Sequence, residues 1–290
     1  MKLTSALKKE FMYFSRTFRM FGVIFSILIF AVVDPVLIKG MGVMMSAMGD
    51  MVEEQAAQTE EVEIDDETME VFDMFESMDA SAMMSMSIGD FTSTAVLIVL
   101  LIMMGPSGSE QKKRSIIIPR CAGLTPKMYV TPKFIIYPLT AFLSGFLGMF
   151  ICAGITLLVF DGAIDITMLA LAAVSVGLYI AFVIILQLTL GICTERPGVA
   201  VISVLASVSL IPSLLSSFKV DKFNPFALPS IAMDAFGAGS EFMGNTSDLD
   251  PLNVGVSLLV TLILSLILYF TTLFVLTARQ IENEGNEAVL

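Results

Sequence analysis

The chain predicts an all-α integral membrane protein with six transmembrane helices, and three observations carry that prediction. Apolar residues make up 56% of the 290 positions and charged residues only 15%, whereas soluble domains carry about a quarter charged residues. The apolar residues come in long blocks, and a bilayer core takes about 20 of them per helix. Thirteen of the 16 basic residues fall on one side of the six blocks, which is the bias that sets membrane orientation.

An amphipathic interfacial helix is expected over residues 1–19. In "KLTSALKKEFMYFSRTFR", Leu3, Leu7, Phe11, Phe14 and Phe18 recur at steps of three and four, interspersed with Lys2, Lys8, Lys9, Arg16 and Arg19. Such a helix lies in the headgroup region. The apolar run that follows has no A-x-A-like cleavage site and reads as an uncleaved first span over about 20–39. Asp34–Pro35 is expected near its far end, because an Asp in mid-bilayer is costly. The second span is expected to begin near Met84, with Asp90 at the interface. The third covers about 134–160, kinked or started near Pro138. The fourth, fifth and sixth cover about 166–193, 198–218 and 254–277.

With the N-terminus inside, the cytoplasmic segments hold Lys2, Lys8, Lys9, Arg16, Arg19, Lys112, Lys113, Arg114, Arg120, Lys127, Lys133, Arg196 and Arg279, which is 13 of the 16 basic residues. Only Lys39, Lys219 and Lys222 lie outside. A multi-pass protein of the cell membrane with both termini cytoplasmic is the expectation. Residues 41–90 form the large outer loop, where 14 of the 28 acids lie between Asp50 and Asp90 with no Lys or Arg. Met41, Met44, Met45 and Met48 fall on one helical stripe, read as adaptable apolar side chains on a helix that continues out of the first span. Met69, Phe72, Phe75 and Met78 form a second stripe against an acidic face. The acids do not match the calcium-loop spacing. Residues 219–253 are apolar but broken by Asn224–Pro225, Pro229, Gly237 and Gly239, and read as short helices dipping into the outer leaflet as a re-entrant segment.

Several functions are excluded by what is missing. The sequence has no Gly-Lys pair, so no G-x-x-x-x-G-K-[ST] phosphate loop exists and the chain is not expected to hydrolyse ATP. With no His, a Ser-His-Asp hydrolase and an H-E-x-x-H metalloprotease are ruled out. Nothing points to nucleic acid or to a bound metal. Gln187 is the clearest polar residue deep in a span, either a path contact or an interhelical hydrogen bond. With Asn224 and Pro225 it makes up the candidate path or gate.

The segment "EQKKRSIIIPRCAGLTPKMYVTPK", Glu110 to Lys133, interrupts the oil with six basic residues and three prolines. Three consecutive isoleucines in a water-facing loop call for a partner. Together with the entry helix, six spans and a large first outer loop, this basic loop resembles the permease of type-2 ABC exporters. The matching positions are Glu110, Lys112 to Arg114, Ser115, the apolar Ile116 to Ile118, the "AGLTP" turn with Pro126, and Lys133. Arg114–Ser115 stands where the family usually has Gly-Thr, and Pro119 interrupts the apolar part. "TERPGVAVISVLASVSLIPSLL" followed by Asn224–Pro225 and a last span is also similar to that family.

The resemblance implies a single permease domain over 1–290, with a cytoplasmic coupling loop at 106–133. Within it, a helix from about Glu110 to Leu124 would dock on a separate ABC ATPase. Glu110, Lys113, Arg114, Ile116, Ile117, Ile118 and Lys133 would touch that partner. ATP and Mg would sit on the ATPase, with no cofactor on this chain. A homodimer, or a heterodimer with a related permease, would enclose the path. The alternatives are an ion-gradient-driven carrier or channel, and a membrane sensor or immunity factor whose acidic loop binds a cationic peptide.

Overall fold

A computed structural model describes residues 3–58, 79–106, 124–217, 224–236 and 251–287. Among the described residues every regular element is helical. In chain order these are α1 (Leu3–Arg16), α2 (Arg19–Gln58), α3 (Ala80–Asp90), a π-helical turn (Phe91–Ala95), α4 (Val96–Ile102), α5 (Pro126–Val159), α6 (Ile166–Thr194), α7 (Pro197–Ser217), a 3-10 turn (Pro225–Ala227), α8 (Leu228–Asp234) and α9 (Pro251–Glu287). Six stretches are long and apolar enough to cross a membrane: Arg19–Gly49, Ala80–Ile102, Pro126–Val159, Ile166–Thr194, Pro197–Leu215 and Leu252–Gln280. The chain is an all-α, multi-pass membrane protein. The helical state follows from the solvent, since a bilayer offers no water to backbone N–H and C=O groups, and a helix pairs them within the segment.

Three boundaries differ from the sequence expectation. The third span begins at Pro126 rather than near 134. Thr125 caps it by accepting from the Met128 N–H at 3.4 Å, and Pro126 takes the first turn, where a missing N–H costs nothing. Pro132 and Pro138 both lie inside this helix without ending it. The first span does not stop at 39: α2 runs on to Gln58, with Met41, Met44 and Met48 exposed along it. The second span is not one α-helix, because five residues directly after Asp90 adopt the wider π-helical turn.

Helix α6 is the centre of the bundle, packing against α5, α7, α8 and α9. Its Ala172, Val176, Ile180 and Val183 are buried in the main core. The closest crossing is with α5, where two glycines meet. A Cβ on Gly177 would sit 2.9 Å from the Phe142 carbonyl oxygen, and one on Gly145 would sit 3.2 Å from the Gly177 Cα. Small residues at such crossings let two backbones approach, which is how membrane helices gain packing without a hydrophobic drive between them. The last span is peripheral. Leu259, Leu266, Phe270 and Phe274 on α9 are exposed in the isolated chain, as suits side chains facing lipid or a partner helix.

The segment before the last span forms two short helices. Asn224 opens them, its side-chain oxygen accepting from the Phe226 N–H at 2.8 Å. Leu228, Ile231 and Ala232 then bury against α6 and α3. Gly237 and Gly239 lie outside the described residues.

Gly177→Val should lower thermal stability in detergent by about 1–3 kcal/mol, the usual cost of overpacking. Gly154→Val is the matched control, because nothing lies within 4 Å of its added Cβ. Equal melting curves for the two variants would show that the crossing tolerates a side chain.

Candidate functional site

The amphipathic stripe of α1 divides once the helix is packed. Phe14 and Ala6 are fully or almost fully buried, whereas Phe11 and Phe18 stay exposed. Phe18 closes the helix in a left-handed conformation with φ 56°. Phe14 meets the Tyr137 ring edge to face, with centroids 4.6 Å apart. One turn earlier, Glu10 is pointed at α5.

There Glu10 Oε1 accepts from Lys133 Nζ at 2.9 Å and from the Tyr137 hydroxyl. Lys133 is 0% exposed, and its ammonium also lies 5.0 Å from the centre of the Tyr129 ring. An ammonium taken out of water is tolerated only when paired and hydrogen-bonded. The aromatic walls of Tyr129 and Tyr137 add to its stabilisation through their negative faces. Lys133, expected on the partner-facing surface, is therefore a buried strut between α1 and α5. The sequence could not show this, because its partner lies 123 positions away.

The other end of the basic loop is held by the same part of the chain. The Arg19 guanidinium, beside the Tyr13 ring, lies directly on Gly105, where any Cβ would collide with it. A side chain at 105 would therefore displace the Arg19 guanidinium. The chain leaves against Arg19 at Gly105, and two turns into α5 Lys133 is held by Glu10, so both flanks of the basic segment are tied to α1 and the start of α2.

More of the same end of the bundle can be placed. Tyr129 and Val130 of α5, Ile192 of α6 and Leu276 of α9 form a small core of their own. The Thr131 and Tyr269 hydroxyls lie 2.9 Å apart. Arg279 donates to Glu195 Oε1 at 2.9 Å and to the Cys193 carbonyl. Glu195, with φ 59°, ends α6 in the left-handed conformation common at helix C-termini. The entry helix, the start of the third span and the ends of the fourth and sixth all meet here.

Gln187 is 0% exposed on α6 and donates to the Leu100 carbonyl at 2.7 Å, tying α6 to the end of α4. Its Oε1 has no partner among the described residues. Asn224 and Pro225 are buried where Phe226 meets Phe182, in the middle of α6, edge to face. The path-or-gate residues meet different partners: Gln187 is turned to the Leu100 carbonyl, and the residue after the Asn224–Pro225 turn packs on Phe182 of α6. Glu110, Lys113, Arg114, Ile116, Ile117 and Ile118 lie outside the described residues, as do Met69, Phe72, Phe75 and Met78 of the acidic stripe.

No family model, no curated protein and no solved structure matches this chain.

Breaking the buried pair from one side should be expensive. Lys133→Met strands the Glu10 carboxylate and should cost roughly 3–5 kcal/mol, while combining it with Glu10→Gln should recover part of that loss. A double-mutant cycle of thermal unfolding in detergent measures the coupling, and additive losses would show that the two side chains do not act as a pair. Gln187→Leu should cost about 0.6–1.7 kcal/mol, the usual worth of one hydrogen bond between membrane helices.

Proposed function

We propose that the chain is the membrane-spanning permease subunit of an ATP-driven exporter, working as a dimer with a separate ABC ATPase docked on the 106–133 loop. The membrane in question is the cell membrane, with both termini in the cytoplasm. The observation that carries this reading is the anchoring of both roots of the basic loop. Arg19 rests on Gly105 and Glu10 pairs with Lys133, so a push on the loop has two rigid exits. One leads through Arg19 into the start of α2, the other through Lys133 and Glu10 into α5 and α1.

Other features fit the same mechanism. A helix bearing Glu110 and basic residues at one end and Ile116 to Ile118 in its middle can bury an apolar knob in a partner and keep its rim wet. ATP closing two ATPase subunits would draw two such loops together. The chain converts that motion into a population shift between inward-open and outward-open states only if the loop binds the two states differently. A direct α5–α6 glycine crossing passes displacement of α5 to the central helix without slack. The short helices at 225–234, resting on α6 and α3, then stand as the far gate.

The test is a pull-down of the tagged, full-length protein from mild detergent, with mass spectrometry of what stays bound. A stoichiometric soluble subunit carrying a G-x-x-x-x-G-K-[ST] loop is expected, lost on Ile117→Asp but retained on a conservative Ile117→Leu. Transport in liposomes by the chain alone, with no ATPase bound, would replace this reading with a gradient-driven carrier.

A further inference from the structure

A second polar cluster lies far from the Glu10–Lys133 pair. Counted from Arg19, Asp34 stands about 22 Å along α2, within a hydrocarbon core about 30 Å thick. It is only 7% exposed, and its Oδ2 has no hydrogen-bond partner among the described residues. Asp90 stands at a comparable depth, about 18 Å from the Ile102 end of the second span. Both stand deeper than the sequence suggests, which puts Asp34 near the far end of its span and Asp90 at the interface.

Three helices meet around Asp34. Ile27 of α2, Phe91 of the π-helical turn and Gly148 of α5 touch at one point: a Cβ on Gly148 would lie 2.7 Å from Ile27 and 3.1 Å from Phe91. Moving from that point away from Glu10, one helical turn brings Ser87 on α3 and Cys152 on α5. Two turns bring Asp34 on α2 and Thr156 on α5 to the same level. The Cys152 thiol lies against the Ser87 and Thr156 hydroxyls, and Asp34 and Asp90 are within electrostatic reach of one another. Ser87 and Thr156 are both 0% exposed, and apart from the adjacent Cys152 thiol their hydroxyl oxygens have no hydrogen-bond partner among the described residues. Asp90 immediately precedes the π-helical turn; such turns widen a helix locally and recur at functional sites. Gly89 beside it touches Met233 of α8, so the short helices cover this side of the cluster.

The cluster contains no positive group. Lys39, further along α2, has its ammonium 5.1 Å from the Phe160 ring centre. On α5, Lys133 is held by Glu10, and the remaining basic residues of α1 and α5 lie at the opposite end. Among the described residues no ion pair reaches Asp34. An ionised carboxylate left so in a hydrocarbon medium costs several kcal/mol. Orphaned hydroxyl oxygens beside it are hard donors. Asp34 is the one carboxylate inside the cluster, with Asp90 at its edge and no third acid or His joining them among the described residues, so a single positive charge balances the buried carboxylate.

We propose that Asp34, Ser87 and Thr156, with Asp90 at the edge, form a binding site for a single monovalent cation, either a proton or an alkali-metal ion. The site lies beneath the helices of 225–234. It belongs to this chain alone and does not rest on the ATPase reading, so it stands or falls separately.

The test uses the purified full-length protein in lipid nanodiscs. Melting temperature is followed against sodium, potassium and choline at constant ionic strength. The infrared carbonyl stretch of protonated carboxyls is followed against pH. An alkali ion predicts a saturable rise in melting temperature over choline that Asp34→Asn removes. A proton predicts no ion preference, but a protonated-carboxyl band that Asp34→Asn removes. If neither signal occurs in the native protein, or if either survives unchanged in Asp34→Asn, the proposal is overturned. Should Asp34→Asn fail to fold, Ser87→Ala with Thr156→Val is read instead. For an alkali ion about a tenfold weakening of the same response is expected from the lost donors, for a proton a shift of about one pH unit in the midpoint of the carboxyl band, and an unchanged midpoint overturns the site.

Discussion

A polar group placed in hydrocarbon must find its partner inside the protein, because no water will supply one. The buried long-range ties of Lys133 and Gln187 answer that constraint. Lys133 enters the bundle only because Glu10 and Tyr137 receive it, and Gln187 only because the Leu100 carbonyl at a helix end accepts from it. Within the helices, hydroxyls are folded back onto their own backbone, as Ser144 onto Thr140 and Thr261 onto Ser257. The few groups left without a partner are then informative, since each is a cost that packing alone does not explain. Three of them, on Asp34, Ser87 and Thr156, belong to one neighbourhood.

Helix α5 joins the two halves of the functional reading. Its first turns carry Lys133 and Tyr137 against α1, its middle carries the glycine crossing with α6, and its last turns carry Cys152 and Thr156. A displacement of the basic loop therefore acts on a continuous helix whose far end lines the Asp34 cluster. The same geometry makes α1 more than a membrane float. By pairing Glu10 with Lys133 it is fastened to the helix it would have to move with, while Phe11 and Phe18 remain free to sit among lipids. If the Asp34 cluster loads a cation, its occupancy and the position of α5 would be linked, and each would bias the other by the same free energy.

The glycines show how little sequence is needed to set such a crossing and how invisible it is in one dimension. Gly145 and Gly177 sit among dozens of small and apolar residues in two spans, with nothing in their local pattern to separate them from Gly154, which touches nothing. What distinguishes them is a neighbouring backbone, and that neighbour is 32 positions away in the pair's case. The π-helical turn after Asp90 is equally silent in composition. Its Thr92 and Ser93 bond back to Ile88 and Gly89, as they would in an ordinary helix.

The number of spans, their approximate limits and the amphipathic entry helix were legible in the chain itself. Hydrophobic length against bilayer thickness and the 3.6-residue period are local properties that need no partner. The residues that would carry function were legible only as types: a Lys at the root of a loop, a Gln in a span, an Asp–Pro pair. The tertiary structure alone decided that Lys133 turns inward to Glu10, that Gln187 closes a helix end, and that Asp34 sits deep beside Ser87 and Thr156. The physical reason is the same in each case. A polar side chain's role in a membrane is set by what stands opposite it on another helix, and that is determined by packing across the bundle rather than by neighbours along the chain.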